Sequence, residues 1–261
     1  MSSALATVRT LKEEDQDFEW YPTTDEILAT IKVRLDEDFY HNNPSILDIG
    51  AGDGRSLKAL TDGSRYAVEK AKPLLELLPK DIFVVGTEFH ELTLIDKKVD
   101  VIFCNPPYSE FEHWAAKIIK EANCKTIYLV IPTRWSKSLA IEQALKTREA
   151  EAKILSTFDF LSGDRAARAV VDVIEVSMTY VGHSNSNPKV DAFKVWFDDY
   201  FKVAIEKDSD DPKAEKETLT AKVKSEMVDS KSGVIDVLHQ FYTRDMDMLM
   251  NNYRSFETID G

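Results

Sequence analysis

Asn105-Pro106-Pro107-Tyr108 follows directly on the apolar run Val99-Asp100-Val101-Ile102-Phe103-Cys104. These residue types in this order could do chemistry on a flat amine. Two successive prolines remove backbone donors and fix φ, so a strand must stop here and Asn105 is held at its carboxyl end. In open α/β sheets that is the edge where ligands bind. Such a turn offers the Asn105 side-chain oxygen and the Pro106 carbonyl as fixed acceptors for both hydrogens of an exocyclic NH2, while Tyr108 stacks on the ring that carries it. The nitrogen is then drawn toward a tetrahedral, nucleophilic shape. A plain strand-ending turn is the competing explanation for these four residues alone.

The segment Ser45-Ile46-Leu47-Asp48-Ile49-Gly50-Ala51-Gly52-Asp53-Gly54-Arg55-Ser56-Leu57 bears on that choice. It reads as an apolar strand, a glycine loop and the start of a helix. Glycines permit positive φ and let backbone approach a ligand closely. The spacing is not Gly-x-Gly-x-x-Gly and no Gly-Lys-Ser/Thr follows, so a phosphate cradle fits poorly. Asp48 and Asp53 add negative charge, which would repel a phosphate and suit a zwitterionic amino acid joined to adenosine through a cationic sulfonium. Further on, Arg65-Tyr66-Ala67-Val68-Glu69 reads as a second strand ending in an acid, the position from which a carboxylate accepts from both ribose hydroxyls.

On these residues the chain resembles the class I S-adenosylmethionine-dependent methyltransferases, and within them the amino-methyltransferase branch that includes phage and prophage DNA adenine-N6 enzymes. The resemblance spans roughly residues 18 to 182. It implies that Asp48, Gly50, Ala51, Gly52 and Asp53 form the cofactor loop, that Glu69 holds the ribose, and that Asn105, Pro106, Pro107 and Tyr108 are the catalytic motif, with Asn105 also reaching the cofactor. Thr87-Glu88-Phe89 stands where the family has an acid, usually Asp, and an aromatic against the adenine, so Glu88 and Phe89 join the implied cofactor site. Trp20-Tyr21-Pro22-Thr23 resembles the aromatic-Pro-Thr segment placed over the methionine end of the cofactor.

Around these motifs, strands alternate with helical patterns, which implies a parallel sheet. Strands are expected near 46–50, 65–69, 82–85, 99–104, 126–131, 153–158 and 170–180, with helices from 53, over 71–78, and near 110–122 and 138–150. The expected fold is α/β: a Rossmann-like, seven-stranded methyltransferase sheet, six strands parallel and one antiparallel, with a helical C-terminal extension. No helix separates the last two strands, so they should pair antiparallel.

The loop between those strands, 159–168, opens on the same edge. The resemblance implies an aromatic there against the target base, a part that Phe160 or Phe158 could take, with core packing the competing explanation for either. Arg165 and Arg168 could hold a phosphate of a flipped-out nucleotide, or be solvated loop arginines. Arg134 and Trp135, just past the fifth strand, add a basic and aromatic pair. The net charge of −13 argues against a protein that coats nucleic acid. Over residues 133 to 170, however, basic residues outnumber acidic ones by seven to five, mild support for an anionic substrate.

Cys104 and Cys124 are the only cysteines and both lie in apolar surroundings, as free core thiols would; no metal-ligand spacing is present. No run is apolar enough to cross a bilayer and the N-terminus lacks a signal pattern, so a cytoplasmic protein of a bacterial or phage-infected cell is expected. Residues 1–182 should form the methyltransferase domain. Residues 183–261 should form a helical extension, with a charged connector near 206–216 and an amphipathic helix from Val234 that could pack against the main domain or mediate self-association. The expected partner is nucleic acid, DNA first, with no membrane and no metal. Two readings share the amine chemistry, an RNA adenine or guanine amino-methyltransferase and a protein glutamine-N5 methyltransferase. A third, from another class, is a non-catalytic cofactor-binding interaction module.

Overall fold

The computed structural model describes residues 4–40, 42–159, 165, 169–178, 190–200, 239–240, 242–244 and 246. The chain divides into two compact units, Met1–Trp196 and Phe197–Gly261. In the second, the described residues 239–240, 242–244 and 246 are helical.

The first unit contains a seven-stranded sheet: β1 (Ile46–Ile49), β2 (Arg65–Val68), β3 (Ile82–Gly86), β4 (Val101–Cys104), β5 (Thr126–Pro132), β6 (Glu151–Asp159) and β7 (Val170–Ser177). Its order is β3-β2-β1-β4-β5-β7-β6. Only β7 runs antiparallel to its neighbours, inserted between β5 and β6, and the other pairings are parallel. This is the expected arrangement of six parallel strands and one antiparallel.

Both faces of the sheet are covered, which explains why the central strands read as continuous apolar runs. Alternate residues still point to opposite sides. Leu47, Ile49, Ile102, Ile127 and Leu129 face one core, filled by Phe111, Ala115 and Ile118 of α5 (Phe111–Glu121) and Ile141 and Ala144 of α6 (Leu139–Thr147). Ile46, Val101, Phe103, Tyr128 and Val130 face the other, filled by Ile27, Leu28, Ile31 and Leu35 of α2 (Asp25–Phe39) and Leu57 and Leu60 of α3 (Arg55–Leu60). Each such aliphatic side chain contributes about 1.5–3 kcal/mol on burial, so a charge at Ile31 would unseat α2.

Neither α1 (Ala4–Glu13) nor α2 was foreseen in the sequence. Leu11 of α1 packs with Ala71 and with Leu74 of α4 (Lys72–Leu75), and Trp20 leans on this group. Two buried polar residues also hold the frame. Glu175 of β7 accepts from Arg34 Nε of α2 at 2.9 Å. Arg148, 1% exposed, donates from Nη1 to Ile119 O and from Nη2 to Ala122 O, each at 3.0 Å, satisfying carbonyls that the end of α5 leaves without intrahelical donors. In α7 (Ala192–Tyr200), Ala192 and Val195 are buried and the Phe193 and Trp196 rings lie 6.0 Å apart.

Candidate active site

The carboxyl ends of β1, β2 and β4 meet at an open cleft. β1 runs into the glycine loop, where Gly50, Gly52 and Gly54 all have positive φ. At Gly52, with φ of 58°, a Cβ would overlap the Trp20 indole, so only glycine admits this contact. Gly50, Ala51 and Asp53 line the cleft, as do Glu69, Glu88, Phe89 and Asn105 and the four residues Trp20, Tyr21, Pro22 and Thr23. The residues expected at the cofactor site are therefore brought together, with Gly52 beneath Trp20 and Asp48 in the strand below.

Glu69, 7% exposed, is held by two backbone donors: Gly52 N–H at 2.7 Å on Oε2 and Ala71 N–H at 2.8 Å on Oε1. Each oxygen keeps a further lone pair for a hydroxyl. Burial raises its pKa, and these N–H groups partly oppose the shift. Glu88 is ion-paired with Lys70 at 2.6 Å, and this contact lowers its pKa. Phe89 is buried and stacks on Trp114 with ring centroids 4.1 Å apart.

The charge expected on the glycine loop needs correction. Asp48 is 1% exposed and neither carboxyl oxygen has a hydrogen-bond partner among the described residues. Burial, then the nearby Glu69 and Asp53, push its pKa well above the ordinary carboxylate value, which favours its neutral form. Asp53 is ion-paired with Arg55 at 2.9 Å. Glu88 is paired in the same way with Lys70, while Glu19 and Glu69 also stand on the cleft wall. Cys104, beside Asn105, is fully buried and its thiol is pushed well up by burial; that of Cys124 is pushed up to about 12. Both are inert core thiols.

β4 ends at Cys104, and Asn105 lies beyond its last ladder pair. The Asn105 amide nitrogen donates to Tyr21 O at 3.0 Å and to Thr23 Oγ1 at 3.2 Å. A backbone carbonyl can only accept, so the nitrogen must face the segment 21–23. The amide oxygen is shielded from water and accepts from no donor among the described residues. Pro106 is buried and Pro107 lines the cleft. The Tyr108 ring lies parallel to Tyr21, with 4° between planes and 6.0 Å between centroids, and its hydroxyl pKa is raised by burial and by Tyr21.

The proposed substrate side differs more. Arg134 is exposed, donates to Tyr108 O at 3.0 Å, and lies over the Phe111 ring, so it stays beside the motif. Trp135 does not face a substrate: it packs against the core and its indole N–H donates to Asp172 Oδ2 at 2.9 Å. Arg165 is not available to hold a phosphate either. It is ion-paired with Asp17 at 2.7 Å, donates to Trp20 O at 2.8 Å, and lies over the Tyr21 ring. Phe160 and Arg168 fall outside the described residues, as do the connector and most of the helix expected from Val234.

Sequence reasoning missed the rest of the wall. Gln16, Phe18 and Glu19 line the cleft, with Glu19 accepting from Ser109 N–H at 3.2 Å and Gln16 from Lys72 N–H at 2.6 Å. Trp114 and Lys70 complete it. Trp114 had a readable signal: it follows Phe111 by three residues in a helical pattern that begins just after the Asn105–Tyr108 turn. Among the described residues no group of side chains could hold a metal ion, and no helix is long and apolar enough to cross a membrane.

No family model and no curated protein matches this chain. Solved structures do. A dimethyladenosine transferase from Plasmodium falciparum matches with a TM-score of 0.50 at 12% identity, over 60% of this chain and 63% of that one. The fold is that of the class I methyltransferases. The 23S rRNA methyltransferase ErmE matches with a TM-score of 0.48 at 13% identity, covering 68% of this chain and 74% of that one. The E. cuniculi Mtq2-Trm112 complex, which methylates the termination factor eRF1, matches at 0.45 and 16% identity, over 60% of this chain and 98% of that one. These likenesses concern the fold; the chemistry rests on the side chains in the cleft.

Proposed function

We propose that residues 1–182 form a methyltransferase domain that moves a methyl group from S-adenosylmethionine to an exocyclic amine, with N6 of adenine in DNA as the target. The observation that carries this reading is the orientation of Asn105. Its amide nitrogen is engaged by Tyr21 and Thr23, so its buried oxygen is left as an acceptor at the cleft. An amine donor is the group that satisfies it.

S-adenosylmethionine is the methyl donor this cleft fits. Glu69 offers lone pairs to ribose hydroxyls, Phe89 an aromatic surface to a purine, and the unpartnered Asp48 carboxyl marks polar capacity beneath the loop. When bound, it supplies a methyl group already activated on a sulfonium. The protein's own share is then positioning. Asn105 orients the amine, Trp20 and Gly52 shape the cleft, and Glu69 stands on its wall with both oxygens held by backbone N–H groups. No strong base is needed before attack, because the amine proton becomes acidic only once the nitrogen is cationic. A duplex adenine must leave its stack, at a cost of a few kcal/mol that pocket contacts offset. Arg134, exposed beside Tyr108, is the cation placed to meet a nearby phosphate. Little sequence separates the motifs, so target recognition should be short.

The test is transfer of labelled methyl to duplex DNA, single-stranded DNA and total RNA, with Asn105→Ala as control and nucleoside digestion of the product. N6-methyladenine in DNA that vanishes in the variant supports the reading. Label in RNA alone moves the substrate, and no transfer to any of the three turns the search to protein glutamine or a binding role.

A further inference from the structure

The segment 16–23 walls the cleft and also supplies both partners of the Asn105 amide nitrogen. It contains a non-glycine residue at positive φ, Glu19 at 59°, a conformation that neighbouring contacts must hold in place. The contact from furthest along the chain is Arg165. Its two terminal nitrogens meet the two carboxylate oxygens of Asp17 at 2.7 and 2.9 Å, a bidentate pair in which both side chains are 16% exposed. Nη1 also donates to Trp20 O at 2.8 Å, and the guanidinium carbon stands 4.3 Å from the centre of the Tyr21 ring. One planar cation thus grips side chain, backbone and ring of a single short segment, which a lysine could not do.

We infer that Arg165 is a positioning residue: by clamping Asp17, Trp20 and Tyr21, it fixes the Tyr21 carbonyl that holds the Asn105 amide nitrogen, and so keeps the amide oxygen turned to the substrate amine. The role of the amide oxygen rests on the function proposed above; the clamp does not. An amide freed from Tyr21 O could rotate and present its NH2 to the amine, donor against donor. The arginine therefore acts through Tyr21 and touches no reacting atom.

The experiment uses the full chain, as wild type, Arg165→Ala and Asp17→Asn, and reads the Asn105 side-chain amide by nitrogen-edited NMR, assigned through its loss in Asn105→Asp. In the wild type both amide protons should exchange slowly with water, and in Arg165→Ala about tenfold faster or more, the scale of one lost hydrogen bond. Asp17→Asn, which keeps the shape and removes one charge, should shift the same way by less and serves if Arg165→Ala does not fold. Unchanged protection in both variants overturns the inference. Turnover on a duplex oligonucleotide gives a second reading. Loss of kcat by about tenfold or more with KM for DNA held is expected, whereas raised KM with kcat held would make Arg165 a nucleic-acid contact and overturn the positioning role. Faster exchange in the variants with no methyl transfer by the wild type leaves the clamp standing and defeats the proposed function.

Discussion

The Asn105 amide nitrogen lies 3.0 Å from the carbonyl oxygen of Tyr21, a residue 84 positions earlier in the chain. The side of the Asn105 amide left to accept is therefore set by the segment that walls the cleft. Thr23 shares the task through Oγ1 at 3.2 Å. Thr23→Val keeps the shape and removes that acceptor. It should cost about 1 kcal/mol of amide orientation, a several-fold loss of kcat. Cofactor affinity, read by calorimetry, should change much less.

Gly52→Ala should act on the cofactor instead. Its positive φ and the overlap of a new Cβ with the Trp20 indole force the wall to move. Strain of roughly 1–3 kcal/mol is expected from the backbone alone. Calorimetry should show binding of S-adenosylhomocysteine lost or weakened by more than tenfold, with a lower melting temperature. Wild-type binding by the variant would refute the close approach.

Arg148→Ala tests the frame. Removing the guanidinium leaves the Ile119, Lys120 and Ala122 carbonyls without their donor. Hydrogen bonds from a charged group are worth about 1.5–3 kcal/mol each, partly offset here by the cost of burying the cation. Urea unfolding should report a loss of about 3 kcal/mol or more.

Asp48 predicts a pH dependence. Its pKa in the folded protein lies well above the ordinary 3.8, so the folded state keeps a proton that the unfolded chain releases. Below the ordinary value both states are protonated and there is no penalty. As pH rises above it, ionisation favours the unfolded chain, and stability falls until the folded pKa is reached. Asp48→Asn removes that dependence. In urea unfolding at pH 5 and pH 8, the stability of the variant relative to wild type should increase with pH. A constant difference would mean that the fold does not raise the Asp48 pKa.

The frame was legible because its signals are local. Val101–Cys104 and Thr126–Pro132 are continuous apolar runs broken by turn residues, and the absence of a helix between the last strands required antiparallel pairing. The residues that gather at the cleft could be picked out because Gly52 and Glu69 occur at a fixed spacing in a strand, loop and strand. The errors came where two distant segments meet. Nothing near Arg165 in sequence names Asp17 as its partner, and nothing near Trp135 names Asp172; a basic or aromatic loop residue looks the same whether it meets a substrate or its own chain. The raised pKa of Asp48 likewise follows from its burial in β1, between β2 and β4, which composition does not encode. The helix at 25–39 carries a readable apolar spacing at Ile27, Leu28, Ile31 and Leu35, whereas the helix at 4–13 buries only Ala4, Thr7, Val8 and Leu11, a weaker pattern.

Asp17 and Arg165 are 148 residues apart, and this separation bears on how the protein comes to exist on a ribosome. The segment that will wall the cleft leaves the exit tunnel early and has no clamp to meet until nearly all of the sheet has followed it. Contacts of such long range are paid in loop-closure entropy and form late. A nascent chain that already holds the glycine loop and Asn105 should still lack a fixed acceptor. Competence would then arrive in one step, when the strand pair that carries Arg165 is complete.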